Sequence, residues 1–566
     1  MNILGISCFY HDSAACLLKD GELISAAQEE RFNREKYSEV FPINSINFCL
    51  QAGNLTINDV DFIGFYEKPF LKFSRVILNH LKSFPFSYKN FLDTIPLWLE
   101  DRLILPLKIK RELGYGGKLL FIKHHLSHAA SAFLVSPFKE AAILTADGVG
   151  EWATTTFGLG QENRIQILKE LVYPDSLGLF YAVITTYLGF NVFEGEGKVM
   201  GLAAYGKPRY ADKFKELITV NPDGSYRLNQ RYFSLNRDSR MFSRNFVKLF
   251  GAARKPQDKI EERHCDIAAT LQEVTERTLI AMAKNVHNQT KADKLCLAGG
   301  VFLNCVANQK ILEETPFKEV FIQPAAGDNG GALGAAYYIY NTLLGSPRNY
   351  TMSHVFLGPD FSTAYIRRVL LNRKLDFQEF GDEQLADFIA DKLSKDLIIG
   401  WFQGKMEFGP RALGNRSILA APCNPRIKDI LNSKVKKRES FRPYAPAVLE
   451  ECAKDFFETE CASPYMLLAP RIKKDKVHLI PAAVHVDGTA RLQTVNRDTN
   501  RKFWLLIKAF EKITGIPMLI NTSFNIKGEA MVCTPEEAVD CFQRTAIDYL
   551  VLENFIICKP NGSSGL

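Results

Sequence analysis

The chain has 566 residues, too many for one hydrophobic core, so two or more domains are expected. Hydrophobic residues make up 46% and charged residues 23%, the balance of an ordinary soluble globular enzyme. A net charge of +7 is mild for this length; it suits anionic ligands at local sites and excludes a protein that coats nucleic acid.

Met1 to Ile6 runs straight into a strand with no basic leader, so no signal peptide is expected and the cytoplasm is the default location. Residues 2–30 read as strand, turn with His11 and Asp12, strand, Asp20-Gly21 turn and strand. Further strands are predicted at Val60–Tyr66, Leu119–Ile122, Ala142–Ala146 and Leu295–Leu297. The apolar spacing of Ile267, Leu271, Val274 and Leu279 predicts a long helix over Asp266–His287, and another helix starts near Asn304. Strands mixed with helices and glycine-rich turns give an α/β fold. Residues 345–352 are polar and proline-containing, which sets a domain boundary near 350, with domains 1–350 and 351–566. The second region has its own strand at Leu397–Phe402, and residues 561–565 form a flexible tail. No apolar run is long enough for a membrane span. The twelve cysteines include no Cys-x-x-Cys, so a structural zinc ribbon is excluded and buried free thiols are expected.

Chemistry concentrates in a few places. His124 and His128 are spaced i, i+4, one helical turn apart on one face, with His125 pointing off it. Asp147 ends the strand-like run Ala141–Ala146, and Asp328 opens a helix inside Gly327–Gly331. Two His and two Asp make an N2O2 set without thiolate, suited to Fe(II), Mn(II) or Zn(II). The glycine turns Gly299-Gly300 and Gly330-Gly331 let a nucleotide phosphate approach the backbone, as in the clefts of actin-like ATPases. The stretch Glu194–Gly206, with Lys198, leads into small apolar residues and reads as packed rather than as a surface loop. In the second region, Arg411, Arg416, the cluster Lys434–Arg442 and Arg491 offer cations from several elements, and Asn521–Asn525 adds neutral donors. Together they suggest a pocket for a small polyanion.

On these motifs the chain resembles the NodU/CmcH family of O-carbamoyltransferases over its whole length. The match runs through His11–Ala15, Glu29–Phe32, His124–His128, Asp147–Trp152, Gly195–Gly206, Gly299–Asn304, Asp328–Gly334, Glu407–Ser417, Phe441–Pro446 and Asn521–Asn525. The resemblance implies an N-terminal actin-like domain of the ASKHA type, a duplicated ribonuclease-H-like fold, followed by a C-terminal YrdC-like α/β domain. It implies that carbamoyl phosphate and ATP, with Mg, give carbamoyl adenylate in the second domain. The first domain then moves the carbamoyl group to a hydroxyl of a small-molecule acceptor, a sugar or natural product. The ligands of one divalent metal, Fe(II) by expectation and Mn or Zn as alternatives, would be His124, His128, Asp147 and Asp328. The catalytic pair would be His11, facing the acceptor hydroxyl, and Asp12. Lys36, Gly299, Gly300, Asn304, Gly330 and Gly331 would hold the nucleotide. Arg411, Arg416, Lys436 (with Lys434 the alternative), Lys437, Arg442, Arg491, Asn521 and Ser523 would bind carbamoyl phosphate and the ATP phosphates.

Two other readings compete. A hydrogenase-maturation carbamoyltransferase shares both domain types, but carries an acylphosphatase domain and Cys-x-x-Cys motifs that this sequence lacks. An actin-like ATP-binding regulatory protein would have no use for the second cationic region. Neither nucleic acid nor a membrane is expected as a partner, and a homodimer is left open.

Overall fold

The computed structural model describes residues 1–85, 87–235 and 240–559; the 561–565 tail lies outside them. Contacts divide the chain into two compact units, Met1–Glu29 with Tyr37–Met352 and Glu30–Lys36 with Ser353–Leu566. The division falls at 352/353, beside the expected 350/351, and it places Glu30–Lys36 in the second unit.

The first unit is built on two sheets. β1 (Asn2–Ser7), β2 (Ala14–Lys19) and β3 (Glu22–Gln28) form an antiparallel meander, to which β4 (Phe62–Phe65) and β5 (Lys118–Phe121) add in parallel, giving the order β3-β2-β1-β4-β5. Asp20 and Gly21 both take positive φ, +51° and +86°, which matches the right-handed twist of the flanking strands and explains the tight β2–β3 turn. The second sheet repeats the plan. β6 (Glu140–Ala146), β7 (Ala153–Gln161) and β8 (Arg164–Val172) form a meander. After a small hairpin of β9 (Ile218–Val220) and β10 (Tyr226–Leu228), β11 (Lys294–Ala298) and β12 (Glu319–Ile322) join in parallel. The order is β12-β11-β6-β7-β8. The shared plan is the duplication expected of an actin-like domain, although the sequence carries no visible repeat. β6 is central and buried along six of its seven residues, whereas β8 alternates exposed and half-buried positions, as an edge strand with one covered face should. The predicted long helix is Glu262–Thr290, running a few mostly polar residues beyond the predicted span at each end.

The helices His124–Phe133 and Asp328–Tyr337 lie in close contact, and Gly334 explains how. A Cβ there would sit 1.8 Å from the Ser127 carbonyl oxygen, so only glycine lets the backbones approach this far.

The second unit is one mixed sheet of β13 (Gln378–Glu379), β14 (Ile399–Phe402), β15 (Arg416–Ala420), β16 (Ala445–Leu449), β17 (Gln493–Val495), β18 (Met518–Ser523), β19 (Tyr549–Leu552) and β20 (Phe555–Cys558). Its order is β13-β20-β19-β14-β15-β18-β16-β17. Period-two patterning feeds two cores. Trp401 and Leu419 pack with Leu385, Ile389, Phe503 and Leu506 of the helices Asp382–Ser394 and Arg501–Thr514. Phe402 and Ile418 pack with Ile366, Leu370, Val539 and Phe542 of the helices Thr363–Asn372 and Pro535–Arg544. All twelve cysteines are free thiols, and seven of them are buried.

Candidate metal centre and transfer site

The structure brings His124, His128, Asp147 and Asp328 together, all four buried, with one ligand atom of each within 4.8 Å of the others. His124 opens its helix and His128 follows one turn later, so both Nε2 atoms point to the same spot, 3.1 Å apart. Asp147 follows β6, and its Oδ2 lies 3.1 Å from His124 Nε2 and 3.2 Å from His128 Nε2. Asp328 starts its helix, and its Oδ1 lies 3.7 and 3.6 Å from the same two nitrogens. Donors about 2.1 Å from a tetrahedral centre stand roughly 3.4 Å apart, so this set has the spacing of a coordination shell. Buried Asp328 Oδ1 has no hydrogen-bond partner among the described residues, which also fits a cation.

Electrostatics point the same way. Burial opposes charge on Asp147, but hydrogen bonds from His124 and His128 hold its carboxyl well below the usual range. Burial opposes charge on His128 too, yet its hydrogen bond to Asp147 and the nearby carboxylate of Asp328 prevail and push it up to about 9. A positive charge at this spot offsets two buried carboxylates, and a divalent cation would supply it. His125 stands apart, as its position off the pair's face predicts. Its Nδ1 is 2.7 Å from Thr145 Oγ1, and burial drives its pKa well below the ordinary value.

His11 sits beside this cluster, its Nε2 3.8 Å from Asp328 Oδ2 and its Nδ1 2.9 Å from Asp12 Oδ2. Burial works against its charged form, but Asp328 and the Asp12 bond outweigh it and raise the pKa to about 9. The imidazole also packs on the Phe193 ring, 4.4 Å between centroids. Two groups escaped the sequence reading. Glu151 accepts the backbone N–H of His124 at 3.0 Å and that of Lys68 at 2.7 Å, capping the metal helix with a carboxylate. Tyr66 donates toward Asp328 Oδ2 at 3.4 Å. The Asp147–Glu151 turn held the clue to Glu151, but which N–H it would meet is a tertiary matter.

The glycine turns have structural work of their own. Gly299 takes φ +102°, where a Cβ would lie 2.2 Å from the Ala146 carbonyl oxygen, and Gly300 N–H donates to Asp147 Oδ1 at 3.3 Å. Gly330 abuts the Ala325 carbonyl and Gly331 the Tyr66 ring, so their lack of a side chain serves packing within the protein. Asn304 caps the helix Cys305–Glu314 through Ala307 N–H and pairs with Gln272. Lys198 pairs with Glu194 at 3.2 Å on the helix Gly195–Ala203, so the packed reading of that stretch fits. Lys36 belongs to the second unit, and its charge reaches Lys436.

In the second unit the expected polyanion ligands separate into two kinds. Arg416, fully buried, gives its guanidinium to the carbonyls of Gln403, Gly404, Asn415 and Pro359, and lies 3.6 Å over the Phe402 ring. Lys436 is held by Ser523 O and Oγ and by Asn525 O and Oδ1, and burial drives its pKa well below that of a free lysine. Asn521 bonds the Ala412 carbonyl and Gln493. Arg416 and Lys436 therefore pin the loops here rather than face a ligand, and Asn521 gives its amide N–H groups to the same loops. The reason is that the loop carrying Arg416 curls around the carboxylate of Glu407, which accepts from Leu413, Asn415 and Arg416 N–H and turns the arginine inward. Arg411, Arg442 and Arg491 stay half-buried and Lys437 exposed. Arg438 and Arg442 of the same cluster both act on Lys436, and burial pulls Arg438 down to about 10.

A family model described as Carbamoyltransferase N-terminus matches residues 2–337, and one described as Carbamoyltransferase C-terminus matches residues 390–559. The chain belongs to the carbamoyltransferase family. Among curated relatives, an uncharacterized protein of Synechocystis sp. is 44% identical over 99% of this chain and 97% of its own length. Nodulation protein NolNO of Sinorhizobium fredii is 38% identical over 98% of this chain and 80% of its own length, and Nodulation protein U of the same organism is 29% identical end to end. The structure of HypF from T. kodakarensis aligns with 61% of the chain and 48% of its own at 14% identity and a TM-score of 0.34. The metal-type cluster lies inside the N-terminal match of this carbamoyltransferase, and the cationic loops lie inside the C-terminal match.

Proposed function

We propose that this carbamoyltransferase is ATP-dependent and acts on a hydroxyl of a small-molecule acceptor. The second unit hydrolyses carbamoyl phosphate to carbamate and phosphate, then joins carbamate to ATP, giving carbamoyl adenylate and pyrophosphate. In the first unit the acceptor oxygen attacks the carbamoyl carbon, AMP leaves, and the hydroxyl proton goes to a base. The observation that carries this reading is the buried N2O2 cluster with His11 at its edge, inside the carbamoyltransferase match.

His124, His128, Asp147 and Asp328 would hold one divalent ion, Fe(II) by preference with Mn(II) or Zn(II) able to replace it, because affinity alone does not select among them. Such an ion supplies Lewis acidity toward the carbonyl or the leaving phosphate. Asp328 is the main charge holding a proton on His11, so a cation that offset this carboxylate would free the ring, and neutral His11 would take the proton of the attacking hydroxyl, with Asp12 orienting it through Nδ1. Glu151 fixes the first turn of the His124 helix. Arg411, Arg442, Arg491 and Lys437 offset the charge of carbamoyl phosphate and of ATP, which enters with Mg. Lys36, in the same unit, joins them. The reading places the reaction in the cytoplasm, where both co-substrates are made.

The test is pyrophosphate release that requires carbamoyl phosphate, followed by a screen of hydroxylated acceptors for a product about 43 Da heavier, one carbamoyl replacing one hydrogen. A base-labile O-carbamate supports the reading. Pyrophosphate release indifferent to carbamoyl phosphate, or a base-stable urea as product, overturns it.

A further inference from the structure

The helix Pro69–Ser83 is folded inside out. Its buried positions are Pro69 and three polar residues, Lys72, Arg75 and Asn79. Lys72 pairs with Glu67 and lies 4.8 Å from the Tyr10 ring centroid. Arg75 donates to the carbonyls of Glu151 and Gly150, next to the carboxylate that caps His124. The opposite face is apolar and exposed. Phe70, Leu78 and Leu81 recur at helical spacing with Leu71 beside them, at 65%, 43%, 66% and 43% exposure. Phe84, Tyr88, Leu92, Leu99 and Leu107, in the segments that follow, are also more than half exposed. A soluble monomer rarely leaves such a surface to water, because apolar area gains from burial.

Charge narrows the choice of what covers it. Between β4 and β5 the chain has nine Lys and Arg against five Asp and Glu. Lys82, Lys89 and Lys110 are exposed, as is Arg111, which pairs with the neighbouring Glu112. A second copy on the same face would set this cationic excess against itself. An anionic lipid surface takes both halves, apolar side chains into the acyl boundary and lysines onto the headgroups. We propose that the face carried by Phe70, Leu78, Leu81 and Phe84 docks the chain on an anionic bilayer, with the inner side of the same helix anchored beside the metal centre. Among the described residues no helix is long and apolar enough to cross a membrane, and lying in the interface needs none. The expectation of no membrane partner rested on spanning alone.

The test uses the full chain and no substrate, so it stands apart from the proposed reaction. Sedimentation with phosphatidylglycerol-containing vesicles is expected to be at least about tenfold stronger than with pure phosphatidylcholine, and to weaken in high salt. Leu81→Glu/Phe84→Glu and Lys82→Glu/Lys89→Glu should each lower vesicle binding about tenfold or more. All four side chains are exposed, so circular dichroism and Tm should not move. Absence of binding to either vesicle overturns the proposal, as does binding that ignores lipid charge. A concentration-dependent dimer lost in the Leu81→Glu/Phe84→Glu variant, without lipid binding, assigns the face to a second copy and overturns it too.

Discussion

His124 and His128 could be read from spacing because a helix fixes the relation of i to i+4 before any tertiary contact forms. Asp147 and Asp328 could be read because each sits where a strand or a glycine turn gives way to new structure. Purified protein should carry about one equivalent of divalent metal by elemental analysis, and His128→Ala should lose it, along with the Tm increment the ion adds. A His128→Ala protein that keeps full occupancy removes this assignment. The arginines were harder. Arg411 and Arg416 look alike in a Gly/Pro-rich stretch, and only the curl of the loop around Glu407 decides which guanidinium turns inward. The two kinds should separate in measurement. Arg416→Ala leaves four carbonyls without their donor and opens the space over Phe402, so it should destabilise by at least about 3 kcal/mol, a Tm loss of roughly 6–12 °C. Arg442→Ala, half-buried and 4.0 Å from Glu439, should move Tm by no more than about 2 °C while abolishing carbamoyl-phosphate-dependent pyrophosphate release. A stable, inactive Arg416→Ala would return that residue to the ligand pocket.

At the level of elements, strands with two buried faces and the Asp20-Gly21 turn announced themselves through composition, and the long helix through its apolar period. The duplicated sheet plan did not, because the two halves share connectivity and not side chains: β2 is Ala-Ala-Cys-Leu-Leu-Lys where β7 is Ala-Thr-Thr-Thr-Phe-Gly-Leu-Gly-Gln. The inverted helix Pro69–Ser83 was equally hidden, since an apolar stripe predicts a buried face and here that face is the exposed one. Elements also carry the site. Asp328 reaches the histidines only because Gly334, further along its helix, lets two backbones meet. Gly334→Ala should push the helices apart, cost about 1–3 kcal/mol and weaken metal binding by roughly 10–100-fold. Gly197→Ala is the control: it lies in a helix with nothing within 4 Å of a new Cβ, and should gain stability of about 0.5–1 kcal/mol without touching the metal. Equal metal affinity in both variants would show that the close approach is not what places Asp328.

For the whole molecule, two units with different chemistry imply a division of labour that can be tested by supplying the intermediate. The first unit holds buried carboxylates and imidazoles, suited to one cation and to moving a proton. The second holds cations, suited to phosphates. Carbamoyl adenylate is a mixed anhydride that water destroys, which favours making and using it on one chain. Arg442→Ala should be dead with carbamoyl phosphate and ATP but should carbamoylate the acceptor once synthetic carbamoyl adenylate is added, because its defect lies before that intermediate. His11→Ala should show the reverse. It should still release pyrophosphate on carbamoyl phosphate and ATP, and should lose roughly 10²–10⁴-fold in transfer, the usual contribution of a positioned base, with or without the added adenylate. His11 is half-buried against Phe193 and bonded to Asp12, so folding of that variant must be checked by Tm first. If folded Arg442→Ala protein stays inactive with adenylate supplied, the cations of the second unit serve the transfer step itself, and the two units do not divide the reaction.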